Sequence, residues 1–527
     1  MVPHHARRMQ PRHRAPTPAT PANARRGYNR RMTVTPQQRR IGRPTGRRIN
    51  HLPRGDDGNG WSQILPPRTP APPLAARIQA DWLVIGAGYA GLAAARRLAA
   101  HRPGDDIVLL DAHAVGENAS GRNSGFAIDL PHVVGGAQDD LSSARRYMAL
   151  ARAAIADLET QIERHNIACD WSRAGKYQTA VSARGEREVL EPFARELAAL
   201  DEAFEWVAQD DLARRLGTAH FKSAVYTPGC RLFNPAALTH GLASALPSNV
   251  KLFEASPVTA IDAGAAVEVH TPAGAVTAAR LILCVNAFAP QFGYYRRRLL
   301  PFAANASLSR RLTADERARL ACEDNWGVTP ANAFASVTMR FTRDHRILMR
   351  QGLYYNPRMR ESGAQLAAAA ARHKRMFDER FPMLKEVDME YTWTGYICLS
   401  QNSAPGFGKL AHNIYAAVCQ NAVGVTKGTM SGLLAADWAC GVDNEGWVHL
   451  KGADSMAVSG LNFRSALVGS GWATAVLLCT NRLRKVLCTL HCKGLLFPYN
   501  NSVPHTILSP CPKGEFSVPP HLTLPLY

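Results

Sequence analysis

Three glycines and an aspartate have the residue types and spacing of a dinucleotide-binding site. Gly86-Ala-Gly-Tyr-Ala-Gly91 follows one apolar run, and Asp111 ends a second apolar run roughly 20 residues later. Gly86 allows a tight turn out of a strand, Gly88 lets a pyrophosphate approach the backbone, and Gly91 lets the next helix pack closely. Asp111 can accept hydrogen bonds from a ribose. The pattern predicts dinucleotide binding; the alternative is an ordinary strand-helix-strand unit with a glycine-rich turn.

Two further loops have residue types that suit a cofactor. Gly116-Glu-Asn-Ala-Ser-Gly-Arg-Asn-Ser-Gly-Phe126 can lay backbone N–H groups and hydroxyls along it, with Arg122 supplying charge near a phosphate or ring. Cys419 to Gly432 forms a glycine-bearing turn that opens a helix, whose N-terminal N–H groups can face a negative ring oxygen. The loop from Gly116 to Phe126 alone could be a glycine-rich surface loop, but its position just after the second strand favours the cofactor role.

Alternating strands and helices must position these loops. Helical periodicity covers Leu141 to His165, Arg184 to Ala203 and Ala236 to Leu246, and strand patterns cover Gly175 to Val181, Val250 to Ile261, Ala266 to His270 and Arg280 to Asn286. This alternation predicts an α/β fold with a parallel sheet. In residues 301–395 the sequence pattern differs from this alternation, which predicts a separate α+β lobe with an Ala-rich helix from Gln365 to Phe377.

Charge and cysteine usage exclude several functions. The formal net charge is +20, but the excess of arginine is concentrated in residues 1–80, and residues 81–441 are nearly neutral. The body of the chain therefore gives no reason to expect a nucleic-acid partner. The 11 cysteines are irregularly spaced and no signal peptide accompanies them, which predicts reduced thiols and a cytoplasmic location. No apolar run is long enough to predict a membrane-spanning helix.

Both ends of the chain differ from its body. Residues 1–56 are rich in Arg, Pro and His and predict a disordered basic extension; an organelle transit peptide, or a true start at Met32 or later, are the alternatives. Residues 442–527 form an atypical tail, and a translated frameshift, disorder or a defective gene product would explain it. Cys488 and Cys492 lack a second pair of ligands, so no metal is expected there.

With these motifs, the chain resembles the flavin-dependent amine and amino-acid oxidases of the D-amino-acid oxidase superfamily, in particular the gamma-glutamylputrescine oxidase-like branch. The likeness spans roughly residues 57–441 and includes the first motif with Asp111, Ala119-Ser-Gly-Arg-Asn-Ser-Gly125, Asn234-Pro235, Pro257-Val258, Val285-Asn-Ala-Phe288 and Asn421 to Gly428. The chain departs from the family at Cys419-Gln-Asn-Ala422, where many relatives have Gly-X-Asn-Gly, and in its tail.

The resemblance implies FAD, bound covalently or noncovalently, in a discontinuous Rossmann-like domain with an inserted α+β substrate-binding lobe. The FAD-binding parts are expected at about 81–150, 226–300 and 396–441, and the lobe at about 151–225 and 301–395. Asp111 and Val258 are expected at the adenosine end. The implied cofactor-binding residues are Gly86, Gly88, Tyr89, Ala90, Gly91, Asp111, Ser120, Gly121, Arg122, Asn123, Ser124, Val258, Asn286, Gly424, Val425, Thr426 and Lys427.

The resemblance also implies a reaction. The C–N bond of an amine or amino acid (gamma-glutamylputrescine-like, polyamine-derived or N-methylated) is oxidised by hydride transfer to flavin, followed by imine hydrolysis and peroxide formation. The partners are then a small-molecule substrate and oxygen or another electron acceptor. A dehydrogenase that uses a quinone or carrier is one alternative. An RNA-associated flavoprotein that binds through the basic extension is another.

Five side chains are candidates for chemical roles. Lys427 can stabilise negative charge on reduced flavin, Arg340 and Arg346 can hold a carboxylate, and His132 can act as a base or a polar lid contact. Their alternatives are a solvated lysine, structural ion pairs and a capping or core histidine. Cys398 stands at about the place where some sarcosine oxidase relatives attach flavin through sulfur; the alternative is a buried free cysteine, which is common in proteins.

Overall fold

Two β-sheets organise the fold, as the sequence predicts. The computed structural model describes residues 46–54, 58–131, 141–330, 337–400 and 404–443. The predicted base His132, residues 1–45 of the extension and the tail from residue 444, with Cys488 and Cys492, lie outside the described residues. No helix in the described ranges is both long and apolar enough to cross a membrane.

The first sheet has nine strands and draws on separate parts of the chain. The strands are β1 (Arg47–Arg48), β2 (Arg77–Ile85), β3 (Ile107–Leu110), β9 (Val250–Phe253), β10 (Ala260–Ala263), β11 (Val267–His270), β12 (Ala275–Leu283), β18 (Gly406–Ala411) and β19 (Ile414–Val418). Strands β9, β3, β2 and β12 run parallel, and β19 pairs parallel with β12. The apolar runs Trp82–Ile85 of β2 and Ile107–Leu110 of β3 are buried because helices cover the faces of a parallel sheet.

The second sheet has eight strands in the order β17-β13-β16-β15-β14-β5-β7-β6. These are β5 (Lys176–Ala180), β6 (Glu205–Ala208), β7 (Ser223–Thr227), β13 (Leu299–Ser309), β14 (Gly327–Pro330), β15 (Thr338–Phe341), β16 (Ile347–Tyr355) and β17 (Met389–Ser400). Its pairs are antiparallel except β14 with β5. A short pair, β4 (Phe126–Ala127) and β8 (Arg231–Leu232), joins the two regions.

The helices match most of the predicted ones. They are α1 (Gly60–Gln63), α2 (Tyr89–His101), α3 (Ala119–Arg122), α4 (Leu141–His165), α5 (Ala183–Gly185), α6 (Glu191–Ala199), α7 (Gln209–Leu216), α8 (Pro235–Ser244), α9 (Ala314–Leu320), α10 (Gly363–Arg380) and α11 (Thr426–Cys440). The helix predicted from Arg184 to Ala203 is instead α5, a π-helical turn at Glu186–Leu190, and α6.

Helix α4 packs into both hydrophobic regions. Ala144 and Met148, in its first half, lie in a cluster with side chains of the second sheet such as Val225. Ile155 and Leu158, in its second half, lie in the cluster that covers β2 and β3. The predicted boundary near residue 150 therefore falls inside one continuous helix.

The single strand predicted from Val250 to Ile261 is wrong, because β9 and β10 are separate. Ala255 between them has a positive φ of 47°, and Pro257 has no N–H for a ladder. The buried carboxylate of Glu254 accepts a 2.5 Å hydrogen bond from the Val115 N–H. The segment therefore turns toward the nucleotide unit.

The expectation of disorder through residue 56 does not hold for residues 46–54. Strand β1 pairs antiparallel with β10. Ile49 follows it, is 5% exposed and packs in a cluster with Val258 and Phe292. Ile49 therefore buries apolar surface against the sheet, whereas the extension as a whole has few apolar residues to bury.

Candidate cofactor and substrate site

A cavity of about 330 Å³ reaches from the first sheet to the second. Ile85 and Leu110, the last residues of β2 and β3, line it on one side. Arg350 on β16 and Gly395 on β17 line it on the other. Ligands of α/β proteins bind at the carboxyl ends of parallel strands, so the cavity lies where a nucleotide cofactor is expected.

The glycine turn after β2 leaves room for backbone contact with a ligand. Gly86 has a φ of +100°, which favours glycine. A methyl group at Gly91 would lie 1.7 Å from the Gly86 carbonyl oxygen, and one at Gly88 would lie 2.5 Å from the hydroxyl of Ser120. Helix α2 begins directly after Gly88. Its N-terminal N–H groups can therefore hold a pyrophosphate, as the motif requires.

Asp111 lies at the end of β3 and lines the cavity. Its carboxylate accepts hydrogen bonds from the N–H groups of Ala87 (2.7 Å) and His113 (3.0 Å). Burial raises its pKa above the usual range, although these two bonds act in the opposite direction. The carboxylate is thus fixed beside the glycine turn, where it fits a ribose.

The loop around α3 is held from several directions. The indole of Trp393 donates a 3.0 Å hydrogen bond to the Arg122 carbonyl oxygen. The Arg122 guanidinium donates to the carbonyl oxygens of Glu117 (2.8 Å) and Thr394 (3.1 Å). Arg122 is 7% exposed and lines the cavity. The second sheet therefore fixes the loop that faces the cofactor.

The start of α11 supplies a further polar wall. Gly424, Val425 and Gly428 line the cavity. Gln420 also lines it, and its buried Nε2 has no hydrogen-bond partner among the described residues. Since a buried donor without an acceptor is costly, this amide fits an acceptor atom of a bound cofactor. The glycine cradle and this amide together fit FAD.

All but four of the predicted cofactor-binding residues line this cavity. Gly91 and Gly121 instead pack against neighbouring backbone, and the Thr426 hydroxyl donates to the Ile128 carbonyl oxygen at 3.1 Å. Cys398 lines the cavity, and burial together with the adjacent thiol of Cys419 raises its pKa. Covalent attachment of flavin at Cys398 stays a prediction.

Lys427, the fourth, is outside the cavity wall as far as the described residues define it. Its ammonium lies 4.9 Å from the centroid of the Tyr147 ring on α4. Burial lowers the pKa of Lys427 to about 8. Its neighbours Val425 and Gly428 face the cavity instead, so the placement of Lys427 gives no support to a contact with flavin.

The two predicted carboxylate anchors have structural partners. Buried Arg340 donates to the carbonyl oxygens of Gly125 (3.0 Å) and Phe233 (2.5 Å), and so ties the second sheet to the cofactor loop. Arg346 donates to Asp344 (3.0 Å) and also pairs with Glu390. Neither is among the described residues that line the cavity.

Sequence reasoning missed Arg350. It lies in the apolar strand β16, is partly exposed, and lines the cavity with Thr338 and Thr394. Within the described part of the chain, no hydrogen bond or ion pair reaches its guanidinium. An arginine directly after Ile-Leu-Met in a strand was the available signal, because a charge within an apolar strand usually has a partner or a ligand.

This fold and cavity define a flavoprotein oxidoreductase with a nucleotide-binding sheet and a substrate-binding sheet. The chain belongs to the family described as FAD dependent oxidoreductase (DAO), whose model matches residues 81–438. FAD is therefore its cofactor, and the family acts on small amine and amino-acid substrates.

Individual relatives agree with this membership. Gamma-glutamylputrescine oxidoreductase of Escherichia coli is 27% identical over 376 residues, 68% of this chain and 83% of the relative. Probable oxidoreductase OrdL of Haemophilus influenzae is 27% identical over 71% of this chain and 85% of its own length. Glycine oxidase from Geobacillus kaustophilus shares the fold, with a TM-score of 0.57 and 17% identity over 69% of this chain and 96% of that structure.

Proposed function

We propose that this protein is an FAD-dependent oxidase that oxidises the C–N bond of an amine bearing a carboxylate. Amino acids, N-methyl amino acids and gamma-glutamylputrescine-like compounds are the substrates in view. The observation that carries the proposal is Arg350, a cation in the cavity wall without a described partner. The relative named gamma-glutamylputrescine oxidoreductase supports the same class of substrate.

Arg350 has the electrostatics of a substrate anchor. Burial lowers its pKa to about 10, so the guanidinium remains charged at neutral pH. A carboxylate placed against it would restore the interactions lost on burial and can bind in bidentate fashion. Thr338 lines the same wall, as does Thr394, whose hydroxyl accepts a 2.9 Å hydrogen bond from the Asn305 side chain. A polyamine without a carboxylate would leave this cation unpaired.

Other residues of the cavity wall would position the reacting carbon of the substrate. FAD, when bound, accepts the hydride equivalent from that carbon. The loop with Arg122 and the turn before α11, which contains Gln420, would hold the flavin end. Phe126, Ile128 and Leu353 make adjacent parts of the wall apolar, which keeps water from the amine.

An anaerobic absorbance titration tests the proposal. The flavin bands are followed while matched pairs are added, such as gamma-glutamylputrescine with putrescine, or an N-methyl amino acid with its decarboxylated amine. We expect bleaching by the carboxylate member of a pair, and peroxide when oxygen is admitted. Bleaching only by the members that lack the carboxylate contradicts the anchor, bleaching by none contradicts the activity, and reoxidation only by a quinone would make the enzyme a dehydrogenase.

A further inference from the structure

We propose that residues 49–54 belong to the cofactor site and form a strap that closes the adenosine end of the FAD cavity. Ile49, His51, Leu52, Pro53 and Arg54 all line the cavity. They precede the nucleotide motif and are not part of the matched family region, which begins at residue 81. The proposal depends on FAD and not on the identity of the substrate.

The strap lies at the adenosine end because of its neighbours. Asp111 at the end of β3 marks the ribose. The cavity continues past it to Pro257 and Val258, which follow β9. The N–H of Ile49 donates a 2.8 Å hydrogen bond to the carbonyl oxygen of Thr259, the residue directly after Val258. The strap therefore covers the part of the cavity beyond the ribose, where an adenine would lie.

One end of the strap is firmly anchored. In β1, Arg47 pairs with Ile261, and its side chain donates a 2.8 Å hydrogen bond to the Gln291 carbonyl oxygen. Ile49 then enters the same hydrophobic cluster as Val258 and Phe292. Burial of this isoleucine against cavity-lining residues couples the position of the strap to the shape of the cavity.

His51 holds the middle of the strap. One of its ring nitrogens, Nε2, lies 2.8 Å from the Arg358 carbonyl oxygen, and the ring meets Phe288 edge-on at a centroid distance of 6.0 Å. Phe288 also lines the cavity. Release of these contacts would open the adenosine end while β1 stays in place, so the strap would control how fast FAD leaves.

Two truncations of the chain test the strap. A variant lacking residues 1–45 keeps it, and a variant lacking residues 1–54 does not. FAD release is followed by the rise in flavin fluorescence after dilution, and thermal unfolding of the FAD-free proteins reports whether each is folded. We expect the shorter deletion to release FAD within about twofold of the full chain, and the longer one at least about tenfold faster. Equal release rates from folded proteins would overturn the proposal.

A point variant and a protection assay decide the matter if the longer deletion does not fold. His51→Ala should accelerate release, whereas His412→Ala, in the turn between β18 and β19 and not among the described residues that line the cavity, should not. In the variant lacking residues 1–45, saturating FAD should slow tryptic cleavage after Arg54. Unchanged release from His51→Ala together with cleavage at Arg54 that FAD does not slow would refute the strap.

Discussion

The indole Nε1 of Trp61 donates a 2.8 Å hydrogen bond to the carbonyl oxygen of Asn123. Trp61 is 2% exposed and precedes the nucleotide motif, whereas Asn123 is in the cavity wall. Asn59, two residues earlier, donates to the carbonyl oxygens of Gly116 (2.9 Å) and Gly121 (3.0 Å). A segment that carries no cofactor motif therefore fixes the backbone of the loop that faces the flavin.

Trp61→Phe should weaken FAD binding. Phenylalanine keeps most of the ring packing but leaves the Asn123 carbonyl oxygen without its donor, at a cost of about 1–3 kcal/mol. We expect the dissociation constant for FAD, measured by flavin fluorescence quenching, to rise roughly fivefold or more.

Trp82→Phe is the matched control for Trp61→Phe. It removes a 2.8 Å indole bond to Asp105, a residue that is not among the described residues lining the cavity. Its unfolding temperature should fall, but its FAD affinity should not. Equal loss of FAD affinity in both variants would contradict a specific role for Trp61.

Gly91→Ala should abolish or greatly reduce FAD binding. Its methyl group would lie 1.7 Å from the Gly86 carbonyl oxygen, so the glycine turn would have to move. Gly104→Ala adds the same methyl group where nothing lies within 4 Å. We expect purified Gly104→Ala to keep the flavin spectrum and Gly91→Ala to lose it; a full complement of flavin in Gly91→Ala would contradict the cradle.

Arg350→Met should raise KM for the carboxylate substrate roughly 10- to 100-fold, since a hydrogen-bonded charged partner contributes about 1.5–3 kcal/mol. KM for the matched amine without a carboxylate should not rise in this way, because that amine has no carboxylate for the guanidinium to bind. Arg346→Met, which breaks the contacts to Asp344 and Glu390 outside the described cavity wall, is the control. Steady-state kinetics on both substrates makes the comparison, and equal effects of the two variants would argue against the anchor.

Lys427→Met should change how stability depends on pH. The folded-state pKa of Lys427 is about 8, below the 10.5 of an ordinary lysine, so burial penalises its charged form. The penalty is fully present below pH 8 and is relieved as pH rises from 8 to 10.5. We expect Lys427→Met to be more stable at neutral pH, by up to roughly 3 kcal/mol, with the advantage shrinking across that window.

Chemical unfolding of the FAD-free protein at several pH values measures this difference. Lys409→Met is the control, because Lys409 is exposed although its ammonium also lies near a tyrosine ring, that of Tyr415, at 5.8 Å. A constant stability difference between wild type and Lys427→Met from pH 7 to pH 10 would contradict a buried charge at this position.

The role of a residue can be predicted from the sequence where a local physical requirement admits only one residue type. Gly86 and Gly88 can be recognised because no other residue fits a left-handed turn or a close backbone approach. Asp111 can be recognised because it ends an apolar strand at a fixed spacing from them. Period and order along the chain likewise predict the strand-helix alternation and the separate lobe, whereas Val258 and Asn286 were implied only by the resemblance to the oxidase family.

The sequence predicted poorly where the partner is distant along the chain. Arg340 and Arg350 lie on neighbouring strands, yet one donates to backbone carbonyls while the other faces the cavity. Their surroundings differ because of the register of the two strands, in which Thr338 lies opposite Arg350 and Arg340 lies opposite Leu348. The ring partner of Lys427, Tyr147, is likewise distant along the chain, in α4, and a contact of Lys427 with flavin stays a prediction. His51 gave no local signal, since its extension resembles a disordered segment by composition.

Helix α4 has a consequence for how the protein moves and unfolds. Its first half is embedded in the cluster around Val225 and its second half in the cluster that covers β2 and β3. A hinge between the two lobes would have to bend this rod or pull it from one core. Substrate entry should therefore depend on loops rather than on lobe rotation, and neither lobe should be stable as an independent fragment, because the two cores share this helix.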